Sequence, residues 1–283
     1  MKFDEIYEKK SDKVKVSFEV FPPKDVEAFA QLENTLCVLK DYSPVFISLT
    51  WGAGGKSNQS AKLISNIRNA GFEVMPHFTC VCSSKNFVEE HINDLEKYGI
   101  DKILALRGDI PDDKSLMCHD FSYASDLVSF IKKKSNLNIA VAGYPEGHIE
   151  APSLDFDLVN LKKKVDVGAN AIFTQLFFDN TKFYEYVEKV RAMGISIPII
   201  PGIMPIISKK QIDKMTNLAR ISVPKNLQAK IEKYQNSPAD MKKMGIEYAQ
   251  NQCQDLISNG VNALHFYTLN KSSSVKEILC NII

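Results

Sequence analysis

A (β/α)8 TIM barrel is the fold class this sequence predicts. Short β-branched and aromatic runs alternate with longer amphipathic runs from end to end, eight of each can be counted, and polar residues collect where the apolar runs stop. The strand candidates are Lys15–Phe21, Val45–Thr50, Glu73–Thr79, Lys102–Leu106, Ile139–Ala142, Ala171–Gln175, Pro198–Ile203 and Ala263–Tyr267. Helical stretches follow each in turn: Val26–Lys40, Gln59–Ala70, Lys85–Tyr98, Ser122–Lys134, Leu154–Val167, Lys182–Met193, Lys209–Met215 with additions, and Ser273–Ile283. Residues 220–260 exceed what one helix needs and carry Pro224, Pro238 and a second amphipathic run, Ala239–Asn259. An extra helix inserted between strands seven and eight is therefore expected. No Gly-, Pro- or Ser-rich linker divides the chain, so residues 1–283 read as a single domain.

Ile139–Asp179 is the densest block. Its strand breaks at Gly143 into the loop Tyr144-Pro145-Glu146-Gly147-His148-Ile149-Glu150, and a helix follows. Leu154, Leu158, Leu161 and Val165 fall within about 60° of one another at roughly 100° per residue, a narrow buried stripe bordered by Asp157, Asn160 and Lys164. A basic last turn and Gly168 close the helix, and the strand Ala171–Gln175 ends in a polar amide.

Composition narrows the function classes. Lys plus Arg number 35 against 34 Asp plus Glu, a net charge of +1, which argues against general nucleic-acid or membrane-surface binding while leaving room for a small anionic ligand. The six cysteines are scattered, with one C-x-C and no C-x-x-C, so they spell neither a zinc knuckle nor an iron–sulfur cluster and read as reduced thiols of a cytoplasmic protein. No apolar run approaches the roughly 20 residues that span a bilayer, and the N-terminus lacks an apolar signal core.

Barrel enzymes place their chemistry at the carboxyl ends of the strands. There this sequence has Glu19, Thr50, His77, Arg107-Gly108-Asp109, Tyr144 with His148, Gln175 and Tyr267. Glu19 lies among aromatic and aliphatic neighbours, a setting that suits a general acid; the run alone favours an outward position in the strand alternation, and its place at the end of a barrel strand reverses that preference. A lone His77 in an apolar run reads most simply as a core histidine, and no metal site is assigned. Arg107 and Asp109 flank a glycine that would let backbone approach a ligand; a surface ion pair at a turn is the alternative. Thr50-Trp51-Gly52-Ala53-Gly54-Gly55 could offer N–H groups to phosphate but matches no dinucleotide or P-loop fingerprint. Of the run Lys162-Lys163-Lys164, only Lys164 is placed beside the stripe and given to a phosphate.

Nine blocks in order, SFEVFPP at 17–23, SLTWGA at 48–53, PHFTC at 76–80, ALRGDIP at 105–111, YPEGH at 144–148, DLVNLKKKVDVGAN at 157–170, TQLFFD at 174–179, IIPGIMP at 199–205 and HFYTLNK at 265–271, resemble the methylenetetrahydrofolate reductase family over nearly the whole chain. The resemblance implies reduction of 5,10-methylenetetrahydrofolate to 5-methyltetrahydrofolate, with hydride passing from NADH or NADPH through FAD. It makes Glu19 the general acid that assists opening of the folate's five-membered ring, and Asp109 the carboxylate that contacts the pterin beside the flavin. Trp51, Ala53, His77, Arg107, Gly108, Asp109, Ala124, Tyr144, His148, Ala151, Asp157, Asn160, Lys163 and Lys164 match FAD-binding positions. Thr50, Gln175, Tyr267 and Lys271 match positions near the nicotinamide or folate.

Four departures stand out. Trp51 replaces a frequent Tyr, Lys163 a common Arg, and Lys271 an Arg that binds the folate. The Ile206-Ile207-Ser208-Lys209 segment offers no aromatic where bacterial members often carry a ligand-stacking Phe. An iron–sulfur partner subunit as electron donor is thus an alternative to the nicotinamide. A homo-oligomer, and a chain without the regulatory domain of eukaryotic relatives, are also expected.

Overall fold

The computed structural model describes residues 2–7, 13–50, 57–111 and 113–283, with the side chains of residues 57–60 and 116 outside that description. A short helix α1 (Phe3–Tyr7) comes first. Then follow β1 (Lys15–Val20), α2 (Val26–Lys40), β2 (Ile47–Leu49), α3 (Ser57–Asn69), β3 (Val74–Thr79), α4 (Lys85–Lys97), β4 (Lys102–Leu106), α5 (Ala124–Lys134), β5 (Asn138–Gly143), α6 (Leu154–Asp166), β6 (Ala171–Leu176) and α7 (Asn180–Ala192). After β7 (Ile199–Ile203) come α8 (Lys209–Leu218), α9 (Lys225–Tyr234) and α10 (Pro238–Ser258), and the chain finishes with β8 (Ala263–Tyr267) and α11 (Ser273–Leu279).

The eight strands pair in parallel in chain order, and β8 closes the barrel on β1. Register places Ser17 opposite His265, and Glu19 opposite both Tyr267 and Ser48. Asp25, Ser84, Ser153, Asp179 and Ser208 start their helices by accepting a bond from a backbone N–H two or three residues on. Each of these caps satisfies a donor the helix cannot use itself.

The insertion expected between β7 and β8 is present, and packing decides which of its helices are the added ones. Ile246, Ala249, Cys253 and Leu256 of α10 join the main core between sheet and helices, so α10 is the barrel's own helix. The added elements are α8 and α9, whose Ile212, Leu227 and Ile231 form a separate cluster with Leu176, Phe178, Met204 and Ile206. Length and amphipathicity could not reveal which run would reach the sheet.

Helix α1 was not foreseen, because five residues are too few to show a periodicity. It seals the amino-terminal end of the barrel. Phe3, Ile6 and Tyr7 pack with Phe46, Met75, Leu104, Ala140, Phe173 and Ile200. Phe3 meets Phe46 and Phe173 edge-on, and burying such a ring contributes roughly 1.5–3 kcal/mol.

Candidate active site

Strand alternation decides what faces the barrel axis. In β1, Val16, Phe18 and Val20 turn outward into the main core, which leaves Ser17 and Glu19 inside. The same rule turns Ser48, His77, Phe173, Gln175, His265 and Tyr267 inward. Glu19 is only 8% exposed. Its Oε2 lies 3.5 Å from His77 Nε2 and 3.9 Å from His265 Nε2. His77 Nε2 is 2.8 Å from Ser48 Oγ, and His265 Nδ1 is 2.8 Å from Ser17 Oγ. The Thr268 hydroxyl donates to the Glu19 carbonyl at 2.6 Å and fixes the strand end.

Burial pulls the His77 pKa below the usual imidazole value, against the opposing pull of Glu19. His77 is therefore a neutral neighbour of Glu19 rather than the cation of an ion pair. Above them Tyr267 donates to the Thr174 carbonyl at 2.8 Å, and burial, reinforced by Glu19 and Tyr144, keeps its phenol protonated.

Beside this floor opens a cleft of about 140 Å³ lined by Arg107, Asp109, Tyr144, His148, Glu150 and Gln175, among others. Arg107 grips Glu150 through both terminal nitrogens, at 2.5 and 2.7 Å, and these bonds hold its guanidinium charged. Tyr144 and His148 meet edge-on at 4.8 Å. Glu146 accepts from the Ser222 N–H, tying the loop after β5 to the segment beyond α8. Gly143 allows the strand to enter this loop, since a Cβ there would stand 2.1 Å from the Tyr186 hydroxyl.

Helix α6 supplies the wall. Asp157 is buried, and desolvation raises its pKa against the pull of Lys164 and His148. Lys164 Nζ donates to the Ala142 carbonyl at 2.7 Å and lies 5.9 Å from the centre of the Tyr144 ring. Burial of this ammonium lowers its pKa to about 8. Lys162 turns away to Asp166, and exposed Lys163 donates to Asn160 Oδ1 at 3.2 Å.

A sequence model of the methylenetetrahydrofolate reductase family matches residues 2–282. The chain belongs to that family. A 5,10-methylenetetrahydrofolate reductase of Pectobacterium carotovorum is 36% identical over 262 residues, 92% of this chain and 87% of its own length. The Escherichia coli K12 protein of the same name is 36% identical over 261 residues, with the same coverage. Methylenetetrahydrofolate reductase (NADH) 1 of Arabidopsis thaliana is 38% identical over 282 residues, 94% of this chain and 48% of the plant protein. Among solved structures, a Clostridium thermocellum protein that binds two copies of 5-methyl-5,6,7,8-tetrahydrofolic acid aligns at a TM-score of 0.61 with 12% identity, covering 95% of this chain and 94% of its own. Dihydropteroate synthase of Thermus thermophilus aligns at 0.51 with 10% identity, covering 96% and 95%. These two likenesses concern the barrel alone.

The enzyme is thus an oxidoreductase of the methylenetetrahydrofolate reductase family. Of the residues the sequence singled out, the structure groups Glu19, His77 and Tyr267 on the barrel floor and lines the cleft with Arg107, Asp109, Tyr144, His148 and Gln175. Asp157, Asn160, Lys163 and Lys164 lie along α6, and Ala151 is buried just before it. Thr50 is half-buried beyond β2, and Ala124 opens α5. Gly108 turns with a φ of 86°, a left-handed value that favours glycine, and Lys271 is exposed on the loop after β8. Trp51 and Ala53 lie outside the described residues.

Sequence reasoning passed over Ser17, Ser48, His265 and Glu150. The signal for the first three was present: each stands on its strand at a position whose neighbours on either side are apolar, as Leu264 and Phe266 flank His265. Glu150 gave no such signal, because its partner lies 43 residues away.

Proposed function

We propose that this enzyme reduces 5,10-methylenetetrahydrofolate to 5-methyltetrahydrofolate by hydride transfer through FAD from NADH or NADPH, with residues 1–283 as one cytoplasmic catalytic domain. The observation that carries the reading is Glu19: a carboxyl on the barrel floor, 3.5 Å from a neutral imidazole, at the strand ends where barrel enzymes work.

The residues present suit a flavin dinucleotide. Lys164 offers a buried cation for phosphate, Asp157 and Asn160 offer acceptors for ribityl or ribose hydroxyls, and Tyr144 with His148 offers aromatic surface. Bound FAD supplies a two-electron hydride carrier. Glu19 holds the proton that opens the five-membered ring of the folate, and Asp109 places negative charge where the iminium cation forms. Gln175, Thr50 and Tyr267 orient the folate and the nicotinamide in turn, and Lys271 meets the anionic folate tail. A homo-oligomer is part of the same proposal.

A second reading replaces the nicotinamide with an electron-donating iron–sulfur partner subunit. It is favoured by the segment before α8, where Ile206 is buried in the satellite cluster and no aromatic is available to stack on a nicotinamide. One experiment serves both. The purified protein should be yellow, release FAD on denaturation, and be bleached by NADH or NADPH without oxygen. Bleaching by neither favours the partner, and a folded preparation that binds FMN or no flavin sinks the FAD assignment.

A further inference from the structure

The C-x-C of this chain, Cys80-Val81-Cys82, lies in the tight turn between β3 and α4, which the Ser83 N–H closes on the Cys80 carbonyl at 3.0 Å. Its middle residue joins the two ends of the loop after β4. The Val81 N–H donates to the Arg107 carbonyl at 2.9 Å, and the Val81 carbonyl accepts from the Cys118 N–H at 3.0 Å. Asp120 Oδ2 accepts from the Lys85 N–H at 2.9 Å, so residues 118–120 run beside the turn and the start of α4. Gly108 presses on the same turn: a Cβ there would stand 2.9 Å from Thr79 Cβ and 3.2 Å from Val81 Cγ1. Because Cys118 bonds to the carbonyl that precedes Cys82, the Cα atoms of the two cysteines are roughly 4–7 Å apart, the range a disulfide bridges. Cys82 is exposed and Cys118 half-buried, so both can be reached from solvent. Cys80 is buried, with its thiol on the Arg107 carbonyl at 3.5 Å and its pKa pushed up to about 11 by burial.

We propose that Cys82 and Cys118 form a paired modification site, which a small disulfide of the glutathione class converts to an intramolecular disulfide between the loops after β3 and β4. The exposed Cys82 attacks first, as its thiolate: a bond forms to one sulfur of the oxidant, the oxidant's S–S bond breaks, and one small thiol leaves. The Cys118 thiolate then attacks Cys82 Sγ in this mixed disulfide and displaces the second small thiol. The two cysteines are oxidised, the small disulfide is reduced, and the two thiol protons end on the released thiols. The reverse exchange restores the pair, as suits an accessible thiol pair in a reducing compartment. The new bond fixes residue 118 to the turn that already holds Arg107 and Gly108. The segment that brings Asp109 to the cleft is then closed covalently at its far end.

Oxidised glutathione is the probe, applied to the purified full chain, and peptide mass mapping is the first readout. Wild type should yield a cross-linked peptide pair containing Cys82 and Cys118, about 2 Da lighter than the two reduced peptides together, and dithiothreitol should abolish it. Cys118→Ser should instead accumulate the glutathione adduct at Cys82, since no second thiol resolves it. Amide hydrogen exchange across the loop after β4 should slow in oxidised wild type and stay unchanged in treated Cys118→Ser. Wild type that keeps the adduct at Cys82 as the variant does would overturn the pairing, and so would a link from either cysteine to Cys80 or to a second copy of the chain. A Cys82–Cys118 link that leaves amide exchange unaltered would overturn the closure of the segment.

Discussion

Asn270 and Phe21 exchange two hydrogen bonds across the closing seam of the barrel: the Phe21 N–H donates to Asn270 Oδ1 at 2.8 Å, and the Asn270 amide donates to the Phe21 carbonyl at 2.9 Å. The loop after β8 is thereby fastened to the end of β1, two residues beyond Glu19. Asn270 does this from a φ of 56°, a region asparagine tolerates better than most residues, and its own carbonyl accepts from the Thr35 hydroxyl at 2.9 Å.

Asn270→Ala should lower stability by about 1–2 kcal/mol, since two partly solvated bonds are lost and alanine fits the left-handed conformation less well. Thermal melting should fall by roughly 2–4 °C for each kcal/mol. Asn270→Gly restores the backbone freedom but not the bonds, so an unchanged melting temperature in both variants would show that the seam is held elsewhere.

Glu19→Gln should separate the half-reactions. The shape is kept and the acid removed, so flavin binding and reduction by the donor should proceed at near wild-type rates. Transfer to methylenetetrahydrofolate should drop by roughly 10²–10⁴-fold. Stopped-flow absorbance of the flavin reads both phases, and wild-type reoxidation would rule Glu19 out as the proton donor.

Lys164 carries a pH signature. An unfolded lysine keeps its proton to about pH 10.4, whereas this buried ammonium gives it up near 8. Between those values the unfolded chain binds more protons, so this site makes the ligand-free protein more stable as pH rises through the window. Below pH 8 both states hold the proton, and the cost of burying the charge stays at its full value. Melting curves of wild type and Lys164→Met should converge toward alkaline pH with that slope, and parallel curves would contradict it. Lys164→Ala should also weaken FAD retention more than Lys162→Ala, whose parent side chain is turned toward Asp166.

The cleft of about 140 Å³ is below the roughly 300–1,000 Å³ usual for ligand pockets, and Arg107, a matched flavin position, is clasped by Glu150. Flavin entry should therefore compete with that ion pair. Glu150→Ala should accelerate FAD uptake by the flavin-free protein, followed by quenching of flavin fluorescence, while Glu150→Asp should have a smaller effect. Equal uptake in all three would show that Arg107 does not have to move.

Lys271 is exposed and presents a point charge where the resemblance implies that an arginine is typical. Lys271→Ala should raise the folate KM, by less as ionic strength increases, with kcat little changed. Lys271→Arg should lower it. If neither moves KM, the tail is held by other cations.

The eight strands and their order were legible in the sequence because a period of two and a period near 3.6 are local properties that survive without tertiary context. So was Glu19 as an unusual carboxyl, and so were the motifs that carry the family. Inward orientation was decided only by closure of the sheet, since a one-residue shift in register would exchange Glu19 with Phe18 or Val20. The contacts that give Glu19 its chemistry join strands far apart in the chain: His77 and His265 reach it from β3 and β8. Lys164 looked like a lysine at the edge of a stripe, and only packing against Ala142 and Tyr144 removed its ammonium from water. The sequence by itself determined the barrel, its periodicities and the residues available for chemistry; the tertiary structure decided which of them share a low-dielectric site, because desolvation and hydrogen-bond distance depend on neighbours that sequence spacing does not specify.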